Sequence, residues 1–146
     1  LKNWWSDADR EKFEGKTKVL VDQYAAYTVL DTIHVNGELT LGENIADYGG
    51  MTMAYDAFLK AMEKSGKTDK IDGFTPQQRF FINWAQVWRN SYTPEARQRQ
   101  IKTDPHSPGE FRANGPLTNS PIFFEAFGIE EGDKMRRPAD QIPIIW

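Results

Sequence analysis

The stretch Leu41-Gly42-Glu43-Asn44-Ile45-Ala46-Asp47, followed after Tyr48 by Gly49-Gly50, decides how the chain is read. It is expected to open a helix near Gly42 or Glu43. Glu43 and Asp47 are then one helical turn apart on the same face. Two like charges at that spacing repel by ~0.2–0.5 kcal/mol unless something positive lies between or beside them. A metal ion or the ring N–H of a metal-bound His would each serve. The ordinary reading on spacing alone is different: Thr40-Leu41-Gly42-Glu43 fits a capping box, and acids in a first turn complement the helix dipole.

Working outward, Thr32-Ile33-His34-Val35 and Glu38-Leu39-Thr40-Leu41 flank Asn36-Gly37, which predicts a short β-hairpin. On the other side, Ala54, Tyr55, Phe58, Leu59 and Met62 have helical spacing and carry the helix to about Lys64. Gly49-Gly50 costs that helix ~1 kcal/mol per glycine relative to Ala, so close packing is expected there. Upstream, Ser6 is an expected N-cap of a helix from Asp7 to about Tyr27, with Phe13, Leu20, Tyr24 and Tyr27 on its apolar face. Downstream, Thr75-Pro76-Gln77-Gln78 combines an N-cap, a proline at the first helical position and a capping-box Gln. The helix it opens runs to about Arg89 and carries the stripe Phe80, Phe81, Trp84 and Trp88, expected in the core. Thr93-Pro94-Glu95 opens a helix to about Ile101, and Ser107-Pro108 and Ser120-Pro121 look like two more starts. The result is a mainly α chain with one short hairpin, read as a single domain over residues 1–146.

Composition allows this and excludes several classes. A 39% hydrophobic and 13% aromatic content supports a packed core. The charge of −3, from 18 basic and 21 acidic residues, gives no basis for nucleic acid as a partner. Arg89, Arg97, Arg99 and Lys102 are expected on a solvated helix face. No apolar run reaches the ~20 residues of a transmembrane helix. Absence of Cys removes disulfides and thiolate metal sites. The chain opens on Leu1 and reaches Trp4-Trp5 at once, two residues expected in a core, which points to preceding polypeptide. The apolar end Ile142 to Trp146 is expected to pack on the body.

A second constellation is Ile101-Lys102-Thr103-Asp104-Pro105-His106-Ser107-Pro108-Gly109-Glu110-Phe111-Arg112. Read by itself, Asp104 caps a turn, His106 is a loop residue and Arg112 a solvated charge. An i, i+4 metal pair of His106 and Glu110 is disfavoured by Pro108 and Gly109 between them. His34, the one other histidine, is read as structural.

Together the two segments resemble the neprilysin (M13) metallopeptidase family, whose hallmarks are Gly-Glu-Asn-Ile-Ala-Asp and Lys-Thr-Asp-x-His-Ser-Pro-x-x-x-Arg. The similarity runs from Leu1-Lys2-Asn3-Trp4-Trp5 to Trp146, and Tyr48 departs from the family's common Asn. The resemblance implies the C-terminal portion of a thermolysin-like (zincin) catalytic domain acting on peptides with Zn2+. It makes Glu43 the third zinc ligand and Asp47 the partner of a zinc-ligating His. His106 would donate to the tetrahedral oxyanion, Asp104 would orient its ring, and Arg112 would hold a substrate backbone carbonyl. The family also needs His-Glu-x-x-His for two ligands and a general base. That motif does not occur in this chain, and the resemblance places it upstream of Leu1. The 146 residues alone are therefore expected to be inactive. Family members often end in Cys-x-x-Trp; the Cys-free tail here suggests a bacterial relative, in the periplasm or cell envelope with the cytoplasm as alternative. The rival class is a non-catalytic helical interaction domain. A metal site built from Glu43, His106 and a second chain is a further alternative.

Overall fold

The computed structural model describes residues 4–145; residues 1–3 and Trp146, part of the resemblance above, lie outside the described residues. Six α-helices and one two-stranded antiparallel hairpin are seen in that span: α1 (Asp7–Ala25), β1 (Thr28–Leu30), β2 (Ile33–His34), α2 (Leu41–Ser65), α3 (Pro76–Val87), α4 (Pro94–Thr103), α5 (Gly109–Leu117) and α6 (Pro121–Phe127). A 3-10 turn at Ala139–Gln141 follows. The mainly helical architecture agrees with the sequence.

Helix starts follow the side chains that satisfy their free N–H groups. Ser6 Oγ accepts from Asp9 N, Thr93 Oγ1 from Ala96 N and Ser120 Oγ from Phe123 N. Thr75 and Gln78 form the full reciprocal capping box. Gly66 and Gly128 end α2 and α6 in the left-handed conformation, at φ 64° and 65°.

The hairpin exists but not where Asn36-Gly37 placed it. Thr28 pairs with His34 and Leu30 with Ile33, so the turn lies at Asp31-Thr32, with Asp31 at φ 46°. The segment after β2 coils into a turn that leads into α2. Asn36 Oδ1 accepts from Leu39 N at 3.0 Å, and Asn36 O accepts from Thr40 N at 3.0 Å. Gly37 is required by proximity, because a Cβ there would collide with the Val21 carbonyl of α1. The chain at Gly37 thus packs on a helix in place of pairing with a strand. Gly50 departs from expectation in the opposite sense: a Cβ there would meet nothing within 4 Å.

Two clusters fill the interior. Met51, Tyr55, Phe81, Leu117, Phe123 and Phe124 form the larger. Leu20, Tyr24 and Val35 form the smaller, with Leu41, Ile45 and Phe111 against it. Each fully buried side chain of this size contributes ~1.5–3 kcal/mol by leaving water. Helix α2 feeds Leu41 and Ile45 to one cluster and Met51 and Tyr55 to the other. Helix α5 does the same through Phe111 and Leu117. These two helices therefore form the spine, and their N-terminal halves carry Glu43, Asp47 and Arg112. At the C-terminal end, Ile142 and Ile145 pack on the body as expected, whereas Ile144 is 74% exposed and Trp146 lies outside the described residues. Trp4 does not behave as a core residue, being 83% exposed, while the half-buried Trp5 ring lies 5.1 Å from Phe13.

Candidate active site

The first turn of α2 is not closed by a capping box. Thr40 Oγ1 accepts from Asn44 Nδ2 at 3.0 Å and donates to Asn36 O at 2.9 Å, and no backbone N–H of the helix reaches it. Glu43 is thereby left without a reciprocal role at the cap. Its carboxylate is 39% exposed and stands 3.2 Å from His106 Nε2.

His106 arrives on the loop between α4 and α5. Asp104 Oδ1 accepts from His106 N at 2.9 Å and lies 2.7 Å from His106 Nδ1, so one carboxylate oxygen fixes both the backbone and the ring. Hydrogen bonds from the His106 backbone and ring, in that order, hold the Asp104 carboxyl below its ordinary pKa. The next residue locks the loop in place: buried Ser107 donates Oγ to Asn44 Oδ1 at 2.8 Å. Asn44 is itself almost fully buried and spends both ends of its amide on this link and on Thr40. A side chain of α2 adjacent to Glu43 thus anchors the residue adjacent to His106.

One turn further along α2, Asp47 is buried and receives Arg112 of α5 in a two-pronged pair. Arg112 Nε donates to Asp47 Oδ2 and Nη2 to Oδ1, each at 2.7 Å. The Asp47 hydrogen bonds raise the Arg112 pKa above its already high ordinary value. Arg112 Nη2 also comes within 3.9 Å of Glu43 Oε2. The Arg112 guanidinium accordingly stands beside both acids of the Glu43–Asp47 face, which offsets the repulsion inherent in their spacing. The Arg112 side chain is only 16% exposed, and its guanidinium lies over the Trp88 ring, 3.9 Å from its centroid.

Glu43, Asp47, Asp104, His106 and Arg112 therefore meet in one cluster. Asp104, His106 and Arg112 share with Trp88, Asn90 and Tyr92 an open hollow of about 260 Å³. Three members were missed from the sequence. Asn44 and Ser107 sit inside the two quoted segments, yet an amide and a hydroxyl give no charge signal. Trp88 was assigned to the core with Phe80, Phe81 and Trp84; those three do pack in the larger cluster, whereas Trp88 ends α3 under Arg112. Arg112 and Arg97 are both less solvated than their isolated reading suggests, and Arg97 rests over Tyr92 at 5.0 Å. His34 is exposed on β2, and His106 precedes α5, so it forms no helical pair with Glu110.

Among the described residues no group of three His, Asp or Glu is arranged to hold a metal ion. The donor set fits zinc as a single contribution: Glu43 offers a half-exposed carboxylate oxygen of the kind zinc accepts. His106 is committed to Asp104 at one nitrogen and faces Glu43 at the other.

Comparison with known proteins identifies the family. The family model for peptidase family M13 matches residues 1–141. An endothelin-converting enzyme homolog of Locusta migratoria is 44% identical over 137 residues, covering 92% of this chain and 19% of the relative. Human endothelin-converting enzyme 1 is 42% identical over 140 residues, covering 94% and 18%. Among solved structures, Mycobacterium tuberculosis zinc metalloprotease Zmp1 in complex with an inhibitor superposes with a TM-score of 0.88 at 40% identity, over 100% of this chain and 23% of that one. PepO from Lactobacillus rhamnosis gives 0.78 at 32% identity, over 100% and 21%. The chain spans about a fifth of the length of these curated relatives. A family match over nearly every residue, with identity sustained along the same span, leads to one conclusion: this chain belongs to peptidase family M13.

Proposed function

We propose that the chain forms the C-terminal part of the catalytic domain of a zinc-dependent endopeptidase, and that it supplies one metal ligand and the substrate-binding arm. The observation that carries this reading is the joining of Glu43 and Asp47 to His106 and Arg112, brought together from segments about 65 residues apart in sequence.

Glu43 would hold the zinc ion with two histidines from outside the chain. Zinc, when bound, polarises a carbonyl and lowers the pKa of water. Asp47 keeps acceptor capacity after taking two Arg112 donors, since a carboxylate offers about four lone-pair sites. It can therefore also accept the ring N–H of a ligating histidine and fix that ring's orientation. His106 presents Nε2 toward Glu43, where a reacting peptide carbonyl would lie, and donates to the oxygen as negative charge develops on it. Asp104 holds the ring by Nδ1, which keeps the donor aimed and leaves little to reorganise during the reaction. Arg112 gives Nε and one N–H of Nη2 to Asp47 and retains Nη1 for a peptide backbone carbonyl. Nothing in the chain supplies His-Glu-x-x-His, so the isolated 146 residues lack a general base and should not hydrolyse peptides. A bacterial origin belongs to the same proposal and rests on the Cys-free tail, and a periplasmic or envelope location, with the cytoplasm as alternative, goes with that origin. No helix among the described residues is long and apolar enough to cross a membrane.

The test uses the protein translated from the whole reading frame that contains this chain. His106→Gln should lower kcat by about 10²–10³-fold, the usual effect of removing one oxyanion donor, with zinc content retained. Unchanged kcat, or chelator-sensitive peptide cleavage by the 146-residue chain alone, would contradict the reading.

A further inference from the structure

We propose that Trp88 is a positioning residue for Arg112, holding its guanidinium in the plane that Asp47 grips; the inference rests on the substrate role given to Arg112 above. Asp47 constrains Arg112 within the guanidinium plane, through Nε and Nη2 at 2.7 Å each. A two-pronged pair resists sliding in that plane but resists hinging of the guanidinium about the line through Nε and Nη2 much less. The Trp88 ring supplies the missing restraint from one face, with Arg112 Cζ 3.9 Å from its centroid. An aromatic face attracts a cation, and the planar guanidinium stacks on it in a way an ammonium cannot.

Trp88 is itself held. Its ring meets Trp84 edge-on at 5.8 Å and 68°. Trp84 Nε1 donates to the Ala113 carbonyl at 3.2 Å, and Ala113 follows Arg112 on α5. The restraint therefore closes on itself: α5 fixes Trp84, Trp84 abuts Trp88, and Trp88 backs Arg112. Nε and one N–H of Nη2 are given to Asp47 and one face is covered, so Nη1 is the nitrogen that Asp47 does not hold and whose direction Trp88 sets. Tilting the guanidinium would move Nη1 while leaving the ion pair formed.

The experiment uses the zinc-loaded protein from the whole reading frame, with Trp88→Leu, Trp88→Phe and Arg112→Met singly and Trp88→Leu combined with Arg112→Met. Trp88→Leu should lower kcat/KM about tenfold with zinc content unchanged, and Trp88→Phe, which keeps an aromatic face, by about threefold or less. In the Arg112→Met background Trp88→Leu should cost less than about twofold further, the signature of a residue acting through its neighbour. Equal losses with and without Arg112, or full activity of Trp88→Leu, would overturn the proposal. If Trp88→Leu fails to fold, the Trp88→Phe comparison in both backgrounds decides it by the same criterion. If Arg112→Met leaves kcat/KM unchanged, the substrate role of Arg112 is what fails. Crystal structures of the Trp88 variants then decide the positioning claim: a tilted guanidinium supports it, and one held as in the parent overturns it.

Discussion

Asp47 takes both Nε and Nη2 of Arg112 at 2.7 Å, and this pair ties the second turn of α2 to α5 beneath the cluster. Both side chains are largely withdrawn from water, so removing one partner strands the charge of the other. Breaking such a pair costs about 3–5 kcal/mol. Asp47→Ala should destabilise the chain by that order in urea unfolding. Adding Arg112→Met should recover part of the loss, because the stranded charge is gone. Two independent, additive losses would show that the pair is not coupled.

The Asn44–Ser107 hydrogen bond gives a second prediction. It joins α2 to the His106 loop, and Asn44 is almost fully buried. Ser107→Ala leaves Asn44 Oδ1 without its donor, at a cost of about 1–3 kcal/mol. Asn44→Ala should cost at least as much, since it also releases Thr40. A double-mutant cycle should return a coupling of about 0.5–3 kcal/mol. Zero coupling would remove Asn44 as the anchor of the loop.

Asp104 predicts a pH dependence. Its carboxyl is held below the ordinary value by His106 hydrogen bonds, so its folded pKa is lower than its unfolded one. The stabilisation is fully present above the unfolded pKa of about 3.9. It is lost as pH falls through the folded value. Urea midpoints of the parent and of Asp104→Asn should therefore differ by a constant amount near neutrality and converge below about pH 4. A gap that widens on acidification would give the shift the opposite sign.

Much of the site was legible through the resemblance of two segments to one family, because spacing alone reads Glu43 and Asp47 as first-turn acids and Asp104, His106 and Arg112 as a turn with a solvated charge. Glu43 and Asp47 one helical turn apart repel unless a positive group stands near, and Arg112 provides it. Helix starts were legible from local chemistry: Ser6, Thr75, Thr93 and Ser120 each satisfy a local N–H. What the sequence hid was tertiary. Asn36-Gly37 carries a hairpin signal, but Gly37 answers to the Val21 carbonyl of another helix. Thr40 fits a cap by pattern and is drawn instead into a chain of hydrogen bonds ending at Ser107. Trp88 continues an apolar stripe, and only the approach of α5 turns it into a platform for a cation.

The most direct test of the account concerns Glu43. In the protein from the whole reading frame, zinc affinity and kcat/KM are measured for the parent, Glu43→Gln and Asp47→Asn. If Glu43 is a zinc ligand, Glu43→Gln should weaken zinc by more than the roughly 10–100-fold expected for Asp47→Asn as an outer partner, with peptidase activity lost in step. Glu43→Gln protein that keeps a full equivalent of zinc and the parent's kcat/KM would contradict the account.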